Sequence, residues 1–187
     1  ATGKSANLLT YDWLNQTMGM GGAWVQVDWN NVYFSKARDM ARFGHMILNN
    51  GEWDGTRVLS DEQYIHDMTH ASQFLNPAYG YLFWLNGTEF FRQPGLDLTF
   101  DGSIIPAAPN DMFAGLGKND QKMYVIPSRE MVVIRMGNPA DDGLLALSGF
   151  DNELWERLNS IISPVTAFPA QNDRDLEVYP NPVSDIV

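Results

Sequence analysis

Cysteine is missing from all 187 residues. That excludes disulfides, thiol nucleophiles and cysteine-ligated zinc, although a cysteine-free chain is compatible with either redox compartment. Basic residues are scarce: 12 Lys and Arg stand against 23 Asp and Glu, a formal charge of −11. Such a chain is repelled by phosphate backbones and anionic lipid over roughly a Debye length, so nucleic acid is not an expected partner. Long apolar runs are lacking too, and none approaches the roughly 20 residues that cross a bilayer as a helix. The opening Ala1-Thr2-Gly3-Lys4-Ser5 has neither an initiator Met nor a signal-peptide pattern, so the chain is expected to be the interior of a longer gene product. Aromatics are plentiful, with 6 Trp, 7 Tyr and 10 Phe in a chain that is 44% hydrophobic. This composition argues for one packed domain, with a tail or linker to spare.

Residues 112–136 organise the rest. Two apolar runs, Met123 to Ile126 and Met131 to Met136, are joined by Pro127-Ser128-Arg129-Glu130 and predict a hairpin. Ahead of them stand Gly115-Leu116-Gly117-Lys118-Asn119-Asp120-Gln121. Two glycines there allow either a ligand approaching the main chain, whose N–H groups suit an anionic oxygen, or a glycine bulge with no ligand.

Along the chain, Ser5 suits the cap of a helix through Leu8, Leu9, Trp13 and Leu14 with one buried face, broken at Met18-Gly19-Met20-Gly21-Gly22. Ala23 to Asp28 is compatible with an extended segment or an irregular loop. Ser35 is the expected cap of a helix with an Ala37, Met40, Ala41, Phe43, Gly44, Ile47, Leu48 stripe, stopped at Asn49-Asn50-Gly51. Ser60-Asp61-Glu62 starts a short helix ending near Thr69. Tyr79 to Leu85 reads as a buried aromatic strand ended by Asn86-Gly87. Residues 88–109 form a long loop, either a functional cover or a variable insertion. After a polar turn at Asp141-Asp142-Gly143, Phe150 to Ile162 is an amphipathic helix expected to pack on the sheet. From Ser163 the composition becomes that of a linker.

The familiar catalytic arrangements are incomplete. His66 and His70 lie four apart with Glu62 a turn earlier, but no third ligand is evident, so surface histidines are expected and no metal. Tyr33 and Ser35-Lys36 evoke Ser/Lys/Tyr acyl chemistry, yet the Ser-x-x-Lys tetrad that would put the base one helical turn after the nucleophile is absent. No residue of this chain is therefore expected to be catalytic.

One set of segments is more specific. Thr2-Gly3-Lys4-Ser5, Trp13-Leu14, Met18-Gly19-Met20, Tyr33-Phe34-Ser35-Lys36-Ala37-Arg38-Asp39-Met40-Ala41-Arg42-Phe43-Gly44, Asn49-Asn50-Gly51-Glu52-Trp53-Asp54-Gly55, Tyr79-Gly80-Tyr81-Leu82-Phe83-Trp84 and Gly115-Leu116-Gly117-Lys118-Asn119 follow one another in this order. Together they resemble the C-terminal half of serine β-lactamase-like hydrolases, the relatives of class C β-lactamases, DD-peptidases, esterases and aminohexanoate-dimer hydrolases. The resemblance spans residues 1–162. It implies an α+β fold in which an antiparallel sheet is packed by helices, incomplete without an N-terminal half. It also implies a Ser-x-x-Lys and a Tyr-x-Asn upstream, no cofactor or metal, and an ester or amide substrate (β-lactam, peptide or short-chain ester) turned over through an acyl-serine. Gly115, Leu116, Gly117, Lys118 and Asn119 would then line the oxyanion side, with Leu116 where Lys or His is common and Lys118 a candidate to replace the lost charge. Tyr79, Tyr81 and Trp84 are candidate cleft aromatics.

The tail resembles something else. Leu176-Glu177-Val178-Tyr179-Pro180-Asn181-Pro182-Val183-Ser184-Asp185 is similar to the opening of the sorting domains read by the type IX secretion machinery of Bacteroidetes. Residues 163–175 would be a linker and 176–187 the first strand of that domain, implying a secreted or cell-surface protein. The alternative to an enzyme is a non-catalytic module holding a cell-wall or carbohydrate ligand on the same fold.

Overall fold

A computed structural model describes residues 2–140 and 147–162. The expected turn at 141–143, linker at 163–175 and sorting segment at 176–187 lie outside the described residues.

Ser5 caps α1 (Ala6–Thr10) by accepting from the Leu8 N–H. The helix widens into a π turn (Tyr11–Asn15) and closes as α2 (Gln16–Met18), stopped by the left-handed Gly19. Its buried face is narrower than expected, for Leu9 and Leu14 are half-buried while Leu8 and Trp13 are exposed. The segment left open by the sequence is strand β1 (Gly22–Val27), hairpinned to β2 (Asn30–Ser35). Trp24 packs its ring on Tyr33 and donates from Nε1 to Thr10 Oγ1, so one hairpin face rests on α1. The opposite face, carrying Val25, Val27, Val32 and Phe34, is exposed.

Ser35 is not the cap of the next helix. It ends β2 and donates from Oγ to the Gly21 carbonyl, while Lys36 occupies the cap position of α3 (Ala37–Leu48) without a side-chain bond. Next come the small hairpin β3 (Glu52–Trp53) and β4 (Thr56–Arg57), then α4 (Glu62–Thr69), whose cap is Asp61 accepting from the Tyr64 N–H.

The expected aromatic strand is much shorter than its sequence suggests. Leu82 takes a left-handed φ of 64°, costly for a branched side chain, and only β5 (Trp84–Leu85) joins the sheet. The long loop holds its own hairpin, β6 (Phe90–Arg92) with β7 (Thr99–Asp101). Asn86 anchors the rest of that loop: its buried amide donates to the carbonyls of Ile105, Ala108 and Pro109 and accepts from the Ile105 N–H.

The main sheet adds β8 (Phe113–Leu116), β9 (Lys122–Ile126) and β10 (Met131–Arg135), in the order β10-β9-β8-β5, all antiparallel. Strand alternation sorts its core into two layers. Phe113, Met123 and Val125 face α3, which approaches so closely that a Cβ on Gly44 would stand 2.6 Å from Val132 Cγ1. Ala114, Tyr124 and Ile126 face the other way, onto Trp155 of α5 (Gly149–Ile162). Trp155 is wholly buried and meets Tyr124 edge-on at 5.6 Å. The architecture is thus mixed, α with small antiparallel sheets, consistent with the α+β class. No helix among the described residues is long and apolar enough to cross a membrane.

Candidate functional site

The site is made by the shortness of β5. Leu85 and Trp84 pair with Phe113 and Ala114, and the Asn86 N–H bonds to the Met112 carbonyl one rung further on. Beyond Trp84 the chain turns away at Leu82, so among the described residues the same edge of β8 carries no strand at Leu116. On its other side β8 is held by β9, and the Gly117 N–H donates to the Gln121 carbonyl at 2.7 Å. Because ladder bonds alternate, that bond assigns the N–H and C=O of Leu116 to the unpaired edge.

A groove opens on each face beside this edge. On the α3 side, Met40, Leu82, Gly115, Gly117, Met123 and Met136 border a space of about 300 Å³. On the α5 side, Tyr79, Trp84, Arg92, Leu96 and Leu116 border one of about 520 Å³. Both volumes suit a small ligand.

The two glycines act through their missing side chains rather than through unusual dihedrals. Neither has a positive φ, and Gly117 is extended at φ −103°, ψ 166°. A Cβ on Gly115 would meet only Met123 at 3.5 Å and point into open space, whereas one on Gly117 would press the Gln121 carbonyl at 3.2 Å. The left-handed residues are Asn119 and Asp120, in a turn clamped to the end of β10 by Gln121 Nε2 donating to the Gly137 carbonyl.

Of the expected site residues, Gly115, Leu116 and Gly117 come together at the edge, with Tyr79 and Trp84 in the adjoining groove. Three do not. Lys118 and Asn119 are exposed on the turn and line neither groove. Tyr81 swings out with the Leu82 turn and packs on Tyr64, ring centroids 5.9 Å apart. The charged residue of the larger groove is Arg92, in the loop the sequence marked only as a candidate cover, and the smaller groove is bordered by the shielded Lys122.

Sequence reading also missed a buried ionic cluster behind the edge. Lys122 Nζ lies 3.0 Å from Asp151 Oδ2 and 3.2 Å from Asp120 Oδ1, with its side chain fully shielded. Tyr124 donates its hydroxyl to Asp151 Oδ1, and Ser148 donates from N and Oγ to Oδ2. Burial raises the Tyr124 pKa, the Asp151 charge adds to it, and the phenol stays a donor. Burial works against ionisation of Asp120, but the Ala140 N–H, Lys122 and Ser148 outweigh it and hold the carboxyl below its usual range. Paired with one another and with side chains almost fully shielded, although Lys122 also borders the smaller groove, these groups read as a structural brace. The signal was a lysine opening the otherwise apolar run Lys122-Met123-Tyr124-Val125-Ile126.

Comparison with known protein families and with curated proteins finds no match for this chain. No group of three or more His, Cys, Asp or Glu among the described residues is placed to hold a metal. His66 and His70 stack their rings 3.9 Å apart on the exposed end of α4. What the edge can do is offer a main-chain N–H, between two grooves, to a carbonyl or anionic oxygen.

Proposed function

We propose that this chain is the C-terminal half of a secreted serine hydrolase of the β-lactamase-like class, and that the β8 edge at Leu116 is the oxyanion side of its acyl-transfer cleft. The observation that carries the reading is the early end of β5, which leaves the Leu116 N–H unpaired beside a glycine-lined groove. An extended acyl substrate would add to that edge as a strand and point its carbonyl oxygen at the main chain. Nucleophile and base, a Ser-x-x-Lys, would come from the part preceding Ala1, with Tyr-x-Asn as a second proton-transfer group. The exposed apolar face of the β1–β2 hairpin, together with Trp13 and the 97% exposed Trp29, supports a further covering segment. Substrates are esters or amides, with no cofactor or metal. The 176–187 segment addresses the parent to the type IX secretion machinery and so to the cell exterior.

A fluorophosphonate probe tests this. The longer gene product is expected to label on one serine upstream of Ala1, and the 187 residues alone to remain unlabelled. Leu116→Pro removes the edge N–H, and in the parent it should lower acylation about 10²–10³-fold, as loss of one oxyanion donor does. Gly117→Val should also reduce it. Unchanged acylation in both variants would remove this strand from the chemistry. A second reading, a non-catalytic module for a cell-wall or carbohydrate ligand, is favoured by the Tyr79–Trp84 edge-on pair that walls the larger groove. Substitution of the upstream Ser and Lys would decide for it.

A further inference from the structure

We infer that the larger groove is a binding site for an organic carboxylate, with the anionic group on Arg92 and an apolar body against Trp84 and Leu116. This goes beyond acyl transfer, because the groove and its arginine need no nucleophile to hold a ligand. Its volume of about 520 Å³ and its apolar walls, Leu75, Tyr79, Trp84, Leu96 and Leu116, suit a compact hydrophobic body. Among the described residues that line it, Arg92 carries the one charge. In a chain of net charge −11, a cation in an apolar groove is the feature that needs an explanation.

The backbone at Arg92 is fixed. Its N–H donates to Asn76 Oδ1 and its carbonyl accepts from Asn76 Nδ2, each at 3.1 Å, which ties the β6 end to the segment forming the opposite wall. The guanidinium is less well satisfied. Its Nε–H is shielded from solvent and has no acceptor, and Nη1 stands 3.6 Å from an Asp97 carboxylate that is fully exposed. Buried donors in folded proteins are almost always paired, so the orphan Nε–H leaves this guanidinium short of a partner. The Asp97 contact is long and water-screened, and it leaves the charge largely uncancelled. A planar guanidinium fork matches a carboxylate in two hydrogen bonds, which an ammonium could not do with the same geometry. The ligand class that satisfies both halves of the groove is a carboxylate on an aliphatic or aromatic body.

The test uses the chain as it stands, titrated with phenylbutyrate, with the neutral phenylbutyramide and with inorganic phosphate, and read by tryptophan fluorescence and amide NMR shifts. Phenylbutyrate is expected to bind at least about tenfold more tightly than the amide, with shifts centred on Arg92, Trp84 and Leu116. Arg92→Gln, which leaves the Asn76 backbone bonds in place, should erase that difference. Asp97→Asn should tighten binding by removing a competing carboxylate. Equal affinity for acid and amide, a preference that survives Arg92→Gln, phosphate bound in place of the carboxylate, or shifts mapping elsewhere would each overturn the assignment. Fluorophosphonate labelling of the parent reads a different event, so failure of one reading leaves the other standing.

Discussion

Asp151→Ala should destabilise this chain more than any other single truncation at the ionic cluster, and the reason is geometric. Asp151 serves three groups at once: Lys122 Nζ at 3.0 Å, the Tyr124 hydroxyl, and the Ser148 N–H at 2.9 Å. Lys122 would keep Asp120 at 3.2 Å, but the Tyr124 phenol belongs to a wholly buried residue and would lose its acceptor. Breaking a buried ion pair from one side costs about 3–5 kcal/mol, and each orphaned donor about 1–3 kcal/mol, terms that overlap and do not add in full. We expect a loss of about 4 kcal/mol, a large share of the roughly 5–15 kcal/mol that holds a domain of this size together. With a urea m-value of about 2 kcal/mol/M, the unfolding midpoint should fall by about 2 M. The assay is urea denaturation followed by fluorescence of the buried Trp155, which α5 carries one helical turn after Asp151. Asp151→Asn keeps the volume and one acceptor and should fall between wild type and Ala. Pairing it with Lys122→Met in a double-mutant cycle should show a coupling of about 1–3 kcal/mol. A midpoint shift under about 0.3 M for Asp151→Ala would refute the brace and make Lys122 and Asp151 candidates for a chemical role.

Two other outcomes follow from the same network of contacts. The folded Asp120 carboxyl is held below its ordinary value of 3.8, so its contribution to stability is complete above that value and disappears as pH falls through the lower folded one. Urea midpoints measured between pH 6 and pH 2 should therefore drop in the acid range, and Asp120→Asn should flatten the drop. Asn86→Ala removes the side chain that binds three loop carbonyls and the Ile105 N–H. It should cost about 2–3 kcal/mol and raise limited-proteolysis rates within residues 88–109, whereas an unchanged cleavage pattern would mean that the loop is held by its apolar contacts alone.

Long periodic segments were legible in the sequence. The α3 stripe, the hairpin of β9 and β10, and the apolar face of α5 each bury side chains at the spacing their secondary structure demands, so local pattern and tertiary packing agree. Short elements were not. A two-residue β5 inside a seven-residue run whose side chains are aromatic or aliphatic except at Gly80 shows no periodicity that distinguishes it from a full strand, and the left-handed Leu82 that ends it is the kind of backbone state a leucine does not advertise. Ser35 looked like a cap because serine caps helices, but β2 claimed it first and turned its hydroxyl toward Gly21. At the site, Gly115, Leu116 and Gly117 were visible as a glycine-flanked strand end. Arg92 was hidden because its placement depends on Asn76, sixteen residues away, bonding to its backbone.

The two grooves have one origin. Gly80 passes so near the end of α4 that a Cβ there would stand 2.2 Å from the Met68 carbonyl oxygen, and the Tyr81 N–H bonds to the Asp67 carbonyl. Tied to the helix at that point, the chain cannot also run alongside β8, and it reaches the sheet only after the Leu82 turn. The rung opposite Leu116 is left empty as a result, and the side chains that would have covered it are displaced: Tyr81 onto Tyr64, and Leu82 to the solvent rim of the smaller groove. A sheet edge normally has to be shielded against pairing with other chains. On β8 the unpaired part is a single residue long, too short to template aggregation. The α4 anchor at Gly80 therefore fixes both the position and the length of the edge that the proposed function assigns to substrate.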